Sequence, residues 1–172
     1  MVSEEMLEAL NTQINAELYS AYLYLSMAAY FDDLNLPGFA NWMKVQEQEE
    51  SAHAMIFYNY VVERGKRVRL KAIAEPPGDW GSPLDVYKAV YKHEVHVTSL
   101  INALVDQAQE ESDHATYNML QWFVGEQVEE EGAADAIVKQ LELIGDDGRG
   151  LLMIDRELAQ RVYTPPPPLA GG

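Results

Sequence analysis

The chain has 172 residues, 48% of them hydrophobic, and carries 28 acidic against 12 basic side chains for a formal net charge of −16. That length fits one domain with a substantial core, and the acidic excess argues against nucleic acid as a partner while suiting a protein that attracts cations. Without cysteine there is no disulfide, no thiolate zinc site and no cysteine-held iron–sulfur cluster. No apolar run approaches the roughly 18 residues of a membrane span. The opening stretch MVSEEMLEAL lacks a basic segment followed by an apolar one. No membrane partner and a cytoplasmic location are therefore expected.

Residues 4–35 contain neither Gly nor Pro, and Leu7, Ile14, Leu18, Ala21, Leu25 and Ala28 recur at helical spacing. NLPG at 35–38 ends this first predicted helix. A second, from about Phe39 to Arg64, has Trp42, Val45, Ile56 and Tyr60 on its apolar side and stops at Gly65. The third opens at Ser82-Pro83, an N-cap residue followed by Pro at the first helical position, and runs to about Glu111. The fourth covers about 115–144 and stops at Gly145. A fifth, about 147–162, shows Leu151, Leu152, Ile154, Leu158 and Val162 before the final TPPPPLAGG.

The four long helices would each measure roughly 40 Å, and amphipathic helices of matched length pack as a bundle. Short links make the first pair and the second pair antiparallel. The link from 65 to 82 is long enough to run the length of the bundle. The expected fold is all-α: a four-helix bundle with one long crossover and a short fifth C-terminal helix. Residues 1–163 should form this domain, with 164–172 a flexible Pro/Gly-rich tail.

The apolar stripes contain misfits. On the fourth helix the inward positions run Leu120, Phe123, Val124, Gln127, Glu130, Ala134, Ile137 and Leu141. Glu17 sits between Ile14 and Ala21, Glu50 and His53 share the face of Gln46 and Phe57, and Glu94 lies among Val90, Val97 and Ile101. A single such carboxylate would reach solvent or pair with an arginine. One near the middle of each long helix is a different matter. A buried unpaired carboxylate costs several kcal/mol, and these stripes offer almost no Lys or Arg. A pair of divalent cations is the natural counter-charge, and carboxylates with one imidazole suit iron or manganese better than zinc.

Glu50-x-x-His53 is the carboxylate–imidazole arrangement of two-metal helical bundles. A symmetrical site would repeat it on the fourth helix, but the residue three after Glu130 is Ala133, and Gln127 lies one turn before Glu130 instead. The two metal positions should therefore differ, one ligated by histidine and one by oxygen alone.

The stretches LNTQINAELYSAYLYLSMAAYF, GFANWMKVQEQEESAHAM and TYNMLQWFVGEQVEEE resemble non-haem ferritins of bacteria and archaea, and the likeness extends over about 4–162. The resemblance implies a ferritin-like bundle in a hollow homo-oligomeric cage of two dozen subunits. It also implies iron storage with ferroxidase activity, in which ferrous iron is oxidised by dioxygen or peroxide and the ferric product is stored as mineral. By the same resemblance Glu17, Glu50 and His53 form the first iron position, and Glu50, Glu94 and Glu130 the second. Gln127 lies beside that centre, and Tyr24 near the oxidation site; spacing alone would equally make Tyr24 core packing. A third, cavity-side iron position would use Glu49, Glu126 and Glu129, sharing Glu130, although a run such as VEEEG can also be a solvated acidic face.

Departures from neighbouring families sharpen the expectation. The second Glu-x-x-His of bacterioferritins is missing, and Ser51 stands where they carry the haem-binding methionine, so no haem is expected. The acidic entry channel of animal ferritins has no counterpart in TYNMLQ, and Glu110, Glu111, Asp113 and His114 read as a solvated turn. His93 and His96 should point away from Glu94, towards the surface or an interface. The basic cluster Arg64, Lys66, Arg67, Arg69 and Lys71 should serve subunit contact. Two other readings stand beside the ferritin one: a two-iron enzyme that stores nothing, and a metal-free helical interaction protein whose inner carboxylates could be replaced with a gain in stability.

Overall fold

The computed structural model describes residues 2–169. Its helices are α1 (Glu4–Asp33), α2 (Pro37–Glu63), α3 (Pro83–Glu110), α4 (His114–Ile144) and α5 (Gly148–Leu158), and no strand occurs among the described residues. Local chemistry sets most of these boundaries. Ser3 accepts from Met6 N at 2.9 Å to start α1, Ser82 from Asp85 N at 3.1 Å to start α3, and Asp113 from Thr116 N at 3.2 Å to start α4. The tight reversals after α1 and α3 place Asn35 (φ 56°) and Ser112 (φ 55°) in the left-handed region. The pairs α1–α2 and α3–α4 are thereby antiparallel, and α5 lies chiefly against α2.

The start of α2 is an exception, because its N-cap residue Leu36 offers no side-chain acceptor. The cap comes from α5. Asp155 Oδ1 accepts from Gly38 N at 2.8 Å and Phe39 N at 3.0 Å, satisfying two otherwise orphaned donors. Gly38 is required by this approach, since a Cβ there would lie 1.6 Å from the Asp155 carbonyl oxygen. Asp155→Ala is expected to cost about 1–2 kcal/mol, lowering Tm by roughly 3–6 °C for a chain of this size. Calorimetric unfolding checks this, and an unchanged Tm would mean that α5 docks without the cap.

Helix α5 ends at Leu158, short of the expected 162, where Gln160 N and Arg161 N close turns onto Glu157 O and Leu158 O. Its Ile154 and Leu158 are buried in the core of their own chain, while Leu152 and Met153 are exposed. The crossover runs along α1 and is fastened to it. Arg69 N donates to Asn11 Oδ1 at 2.8 Å, Asn15 Nδ2 to Ala72 O at 3.1 Å and Ser26 Oγ to Pro77 O at 2.6 Å. Lys66 pairs with Glu4, Lys71 with Glu8 and Arg64 with Asp113, so three of the five basic residues expected at a subunit contact have partners within the chain. In the C-terminal segment Pro166 is buried and Leu169 packs on the core, whereas Ala170 to Gly172 lie outside the described residues.

The interior has two apolar clusters. One gathers Met27, Phe31, Phe39, Met43, Tyr87, Val90, Ile137 and Leu158; the other gathers Met6, Leu10, Ile14, Phe57, Ile101, Leu120 and Phe123. Glu17, Glu50, His53, Glu94, Gln127 and Glu130 belong to neither cluster and occupy the layer between them.

Candidate metal centre

Within that layer Glu17 (1% exposed), Glu50 (2%), His53 (2%), Glu94 (1%), Gln127 (3%) and Glu130 (6%) are all buried. Glu17, Glu50 and His53 each offer a ligand atom, and these atoms lie within 4.8 Å of one another. His53 Nδ1 is 3.4 Å from Glu50 Oε2, and its Nε2 is 3.8 Å from Glu126 Oε1. One ring nitrogen thus faces the cluster while the other faces a carboxylate that can orient the imidazole. Trp122 and Phe123 meet the ring edge-on, at centroid distances of 5.5 and 5.7 Å, and fix its plane.

On the α1 side Gln13 Nε2 donates to Glu17 Oε1 at 2.8 Å, while Glu17 Oε2 is buried with no partner. An orphaned carboxylate oxygen in a dry interior is costly. A cation at this point would satisfy it. Around Glu94, the Tyr24 hydroxyl donates to Oε1, and Gln127 Nε2 donates to Oε2 at 3.2 Å and to the backbone oxygen at 3.3 Å. Gln46 Nε2 donates to Glu130 Oε2 at 2.5 Å. Gln127 therefore acts in this structure as a hydrogen-bond donor to Glu94. Tyr24, which spacing alone left undecided, is a fully buried donor to the same carboxylate.

The electrostatics describe a site short of positive charge. Burial, then repulsion from Glu50, pushes the Glu17 carboxyl well up; burial, then Glu94 and Glu130, does the same to Glu50. Burial also raises Glu94, and burial with repulsion from Glu94 carries Glu130 up to about 8. Among the described residues only Glu17, Glu50 and His53 form a compact ligand group, but the mutual repulsion of Glu50, Glu94 and Glu130 puts those three within electrostatic reach of one another.

The outlying carboxylates are arranged differently. Glu126 and Glu49 are half-buried and Glu129 is exposed. Burial raises Glu126 and Glu49; Glu129 adds to the first and Glu126 to the second, so each senses its neighbour. Glu49, however, already has a cation: Arg161 Nη2 lies 2.5 Å from its Oε2. That arginine was missed by sequence reasoning, as were Gln13 and Gln46. The glutamines had a legible signal, each lying four residues before a stripe carboxylate. Arg161, beyond the last helix, had none.

His93, expected to point away from Glu94 towards the surface or an interface, is half-buried: its Nε2 is 2.8 Å from Ser20 Oγ and its ring stands edge-on to Tyr24 at 6.3 Å. Burial, then His96, lowers its pKa to about 4. His96 is exposed, as expected.

Carboxylates from four helices and one Glu-x-x-His, enclosed in a bundle with a single long crossover, define a carboxylate-rich metal-binding bundle protein. The Ferritin-like domain family matches residues 7–144. The chain is 46% identical to a bacterial non-heme ferritin of Bacteroides fragilis over 161 residues, covering 94% of this chain and all of the relative. It is 38% identical to that of Staphylococcus aureus over 163 residues, covering 95% of this chain and 98% of the relative. The open-pore ferritin of the hyperthermophilic archaeon Archaeoglobus fulgidus superposes with a TM-score of 0.94 at 59% identity, covering 94% of this chain and all of that one. This chain belongs to the ferritin family, whose function is iron storage with ferroxidase activity.

Proposed function

We propose that the buried layer is a two-iron ferroxidase centre with an iron store behind it, and that the unpartnered Glu17 oxygen beside Glu50 and His53 is the observation that carries this reading. Glu17, Glu50 and His53 hold the first ferrous ion. Glu50, Glu94 and Glu130 hold the second, with Glu50 bridging. Gln127 and Tyr24 direct hydrogen bonds at Glu94 and set the orientation in which it meets the metal. Hard anionic oxygens favour Fe(III) over Fe(II), which lowers the potential and drives oxidation. With dioxygen as oxidant the balance is two Fe(II), one dioxygen and two protons giving two Fe(III) and one hydrogen peroxide; peroxide itself is the alternative oxidant.

A site with one imidazole binds ferric product less tenaciously than a nitrogen-rich one, which suits onward transfer. Glu49, Glu126 and Glu129 form a third, cavity-side position that shares Glu130. We read residues 1–163 as the functional domain, in a cytoplasmic homo-oligomeric cage. The pore named for the Archaeoglobus fulgidus ferritin supports a hollow assembly. No helix is long and apolar enough to cross a membrane among the described residues.

Aerobic loading of metal-free protein with many ferrous ions per subunit, followed by size exclusion with iron and protein both quantified, tests this. Iron far above three per subunit, co-eluting with a particle of several hundred kilodaltons, is the expected result. About two irons on a small oligomer would instead mean a two-iron enzyme without a store. No bound iron would remove the metal reading of the inner carboxylates.

A further inference from the structure

Arg161 lies past the end of α5, yet the structure ties it firmly to α2. Asn41 Nδ2 donates to the backbone oxygens of Arg161 at 3.0 Å and Leu158 at 3.2 Å, strapping this segment to the helix. The guanidinium stacks over Trp42, 4.5 Å from the ring centroid. From there its two ends diverge. Nη2 donates to Glu49 Oε2 at 2.5 Å, and Nη1 donates to Gln46 Oε1 at 2.7 Å. Gln46 is wholly buried and passes the contact on, donating from Nε2 to Glu130 Oε2 at 2.5 Å.

Two consequences follow from donor and acceptor chemistry. Gln46 has one carbonyl oxygen, and with that oxygen held by Arg161 its NH2 must face Glu130; the flipped amide would set oxygen against carboxylate. Glu49 is already neutralised, and an arginine cannot lose its proton to make way. A metal ion at Glu49 must therefore either bind the free Oε1 against the charge of the guanidinium or displace that guanidinium from Oε2.

We propose that Arg161 is a positioning residue that guards the third cation position: its guanidinium opposes a cation at Glu49 and, through Gln46, keeps Glu130 turned to the paired centre. The inference rests on the third position assigned to Glu49, Glu126 and Glu129 above. The segment after α5, held to α2 by Asn41 and carrying this arginine, therefore sets the affinity of the third position.

The test uses the full chain in its assembled form, stripped of metal and titrated calorimetrically with Zn(II), which binds carboxylate and imidazole without redox chemistry. Arg161→Gln is expected to tighten the weakest class of sites by about 10-fold or more, the effect of removing a competing charge from a partly buried carboxylate. Arg161→Lys, which keeps that charge, should restore weak binding there. If Arg161→Gln does not assemble, Asn41→Ala loosens the strap with the arginine retained and should tighten the same class several-fold.

A merely structural arginine would lower Tm and leave these affinities unchanged, which overturns the proposal. Two tight sites with an outer class indifferent to the Arg161 and Asn41 variants would sink the Arg161 inference alone. A wild-type protein that binds no Zn(II) would sink the metal centre with it.

Discussion

Glu50→Ala should slow ferrous iron oxidation by more than about 100-fold, a loss beyond that of a supporting residue because both metal positions share this ligand. The same substitution should raise the Tm of the metal-free protein by a few degrees. The two effects have one origin. Glu50 is 2% exposed, faces Glu17, Glu94 and Glu130, and among the described residues is ion-paired only with His53. A group held against burial and like charge costs stability until its cation arrives, and replacing it with an apolar side chain removes that cost.

Stopped-flow absorbance of the ferric product and calorimetry of the metal-free protein read the pair. Oxidation at the wild-type rate would remove Glu50 from the reaction. Lost oxidation with a lower Tm and no assembly would make it a packing residue. His53→Ala should also abolish oxidation while the particle still assembles, since it deletes the cluster's one nitrogen donor and leaves Glu126 without the imidazole it faces at 3.8 Å.

Metal-free protein should lose stability as pH rises from about 6.5 to about 8. Glu130 has a folded pKa of about 8 against 4.5 unperturbed, and Glu17, Glu50 and Glu94 are displaced in the same direction, burial being the first cause in each. A carboxyl raised in the folded state binds more protons there than in the unfolded chain, so stability falls with pH between the two values. His93 works the other way: lowered to about 4 from 6.5, it adds stability as pH climbs between those values and nothing further above. The carboxylate effect is therefore partly masked below 6.5 and exposed above it. A shift like that of Glu130 corresponds to a few kcal/mol.

Metal displaces these protons. Binding at pH 6–7 should release at least about one proton per subunit and tighten as pH approaches the Glu130 value. Thermal unfolding across pH, with titrations in buffers of different ionisation enthalpy, measures both. Stability that rises from 6.5 to 8, or binding without proton release, would contradict the charge-starved site.

By itself the sequence determined the helices and the polar layer, because both depend on periodicity within one helix. Stepping at helical spacing shows which side chains share a face, so Glu17, Glu50, His53, Glu94, Gln127 and Glu130 could be seen to interrupt apolar stripes, and all six are buried. Ser82-Pro83 announced the start of α3 because capping is a matter of a few adjacent residues. The lengths of the links were enough to set the pairing of helices and the crossover.

Only the tertiary structure decided what these faces meet. Asp155 caps α2 from 117 residues away, and Arg161 holds Glu49 from 112 residues away, at positions where the local pattern shows only a short helix and its frayed end. His93 sits beside Glu94 on an apparently outward bearing, yet α1 closes over it with Ser20 and Tyr24. The basic residues of the crossover read as a patch along the chain, but packing against α1 and the start of α4 brings acids to three of them. Periodicity gives the direction of a side chain from its own helix axis and nothing about the distance to the next axis. Counter-ions, caps and the coverage of a half-buried ring are set by that second quantity.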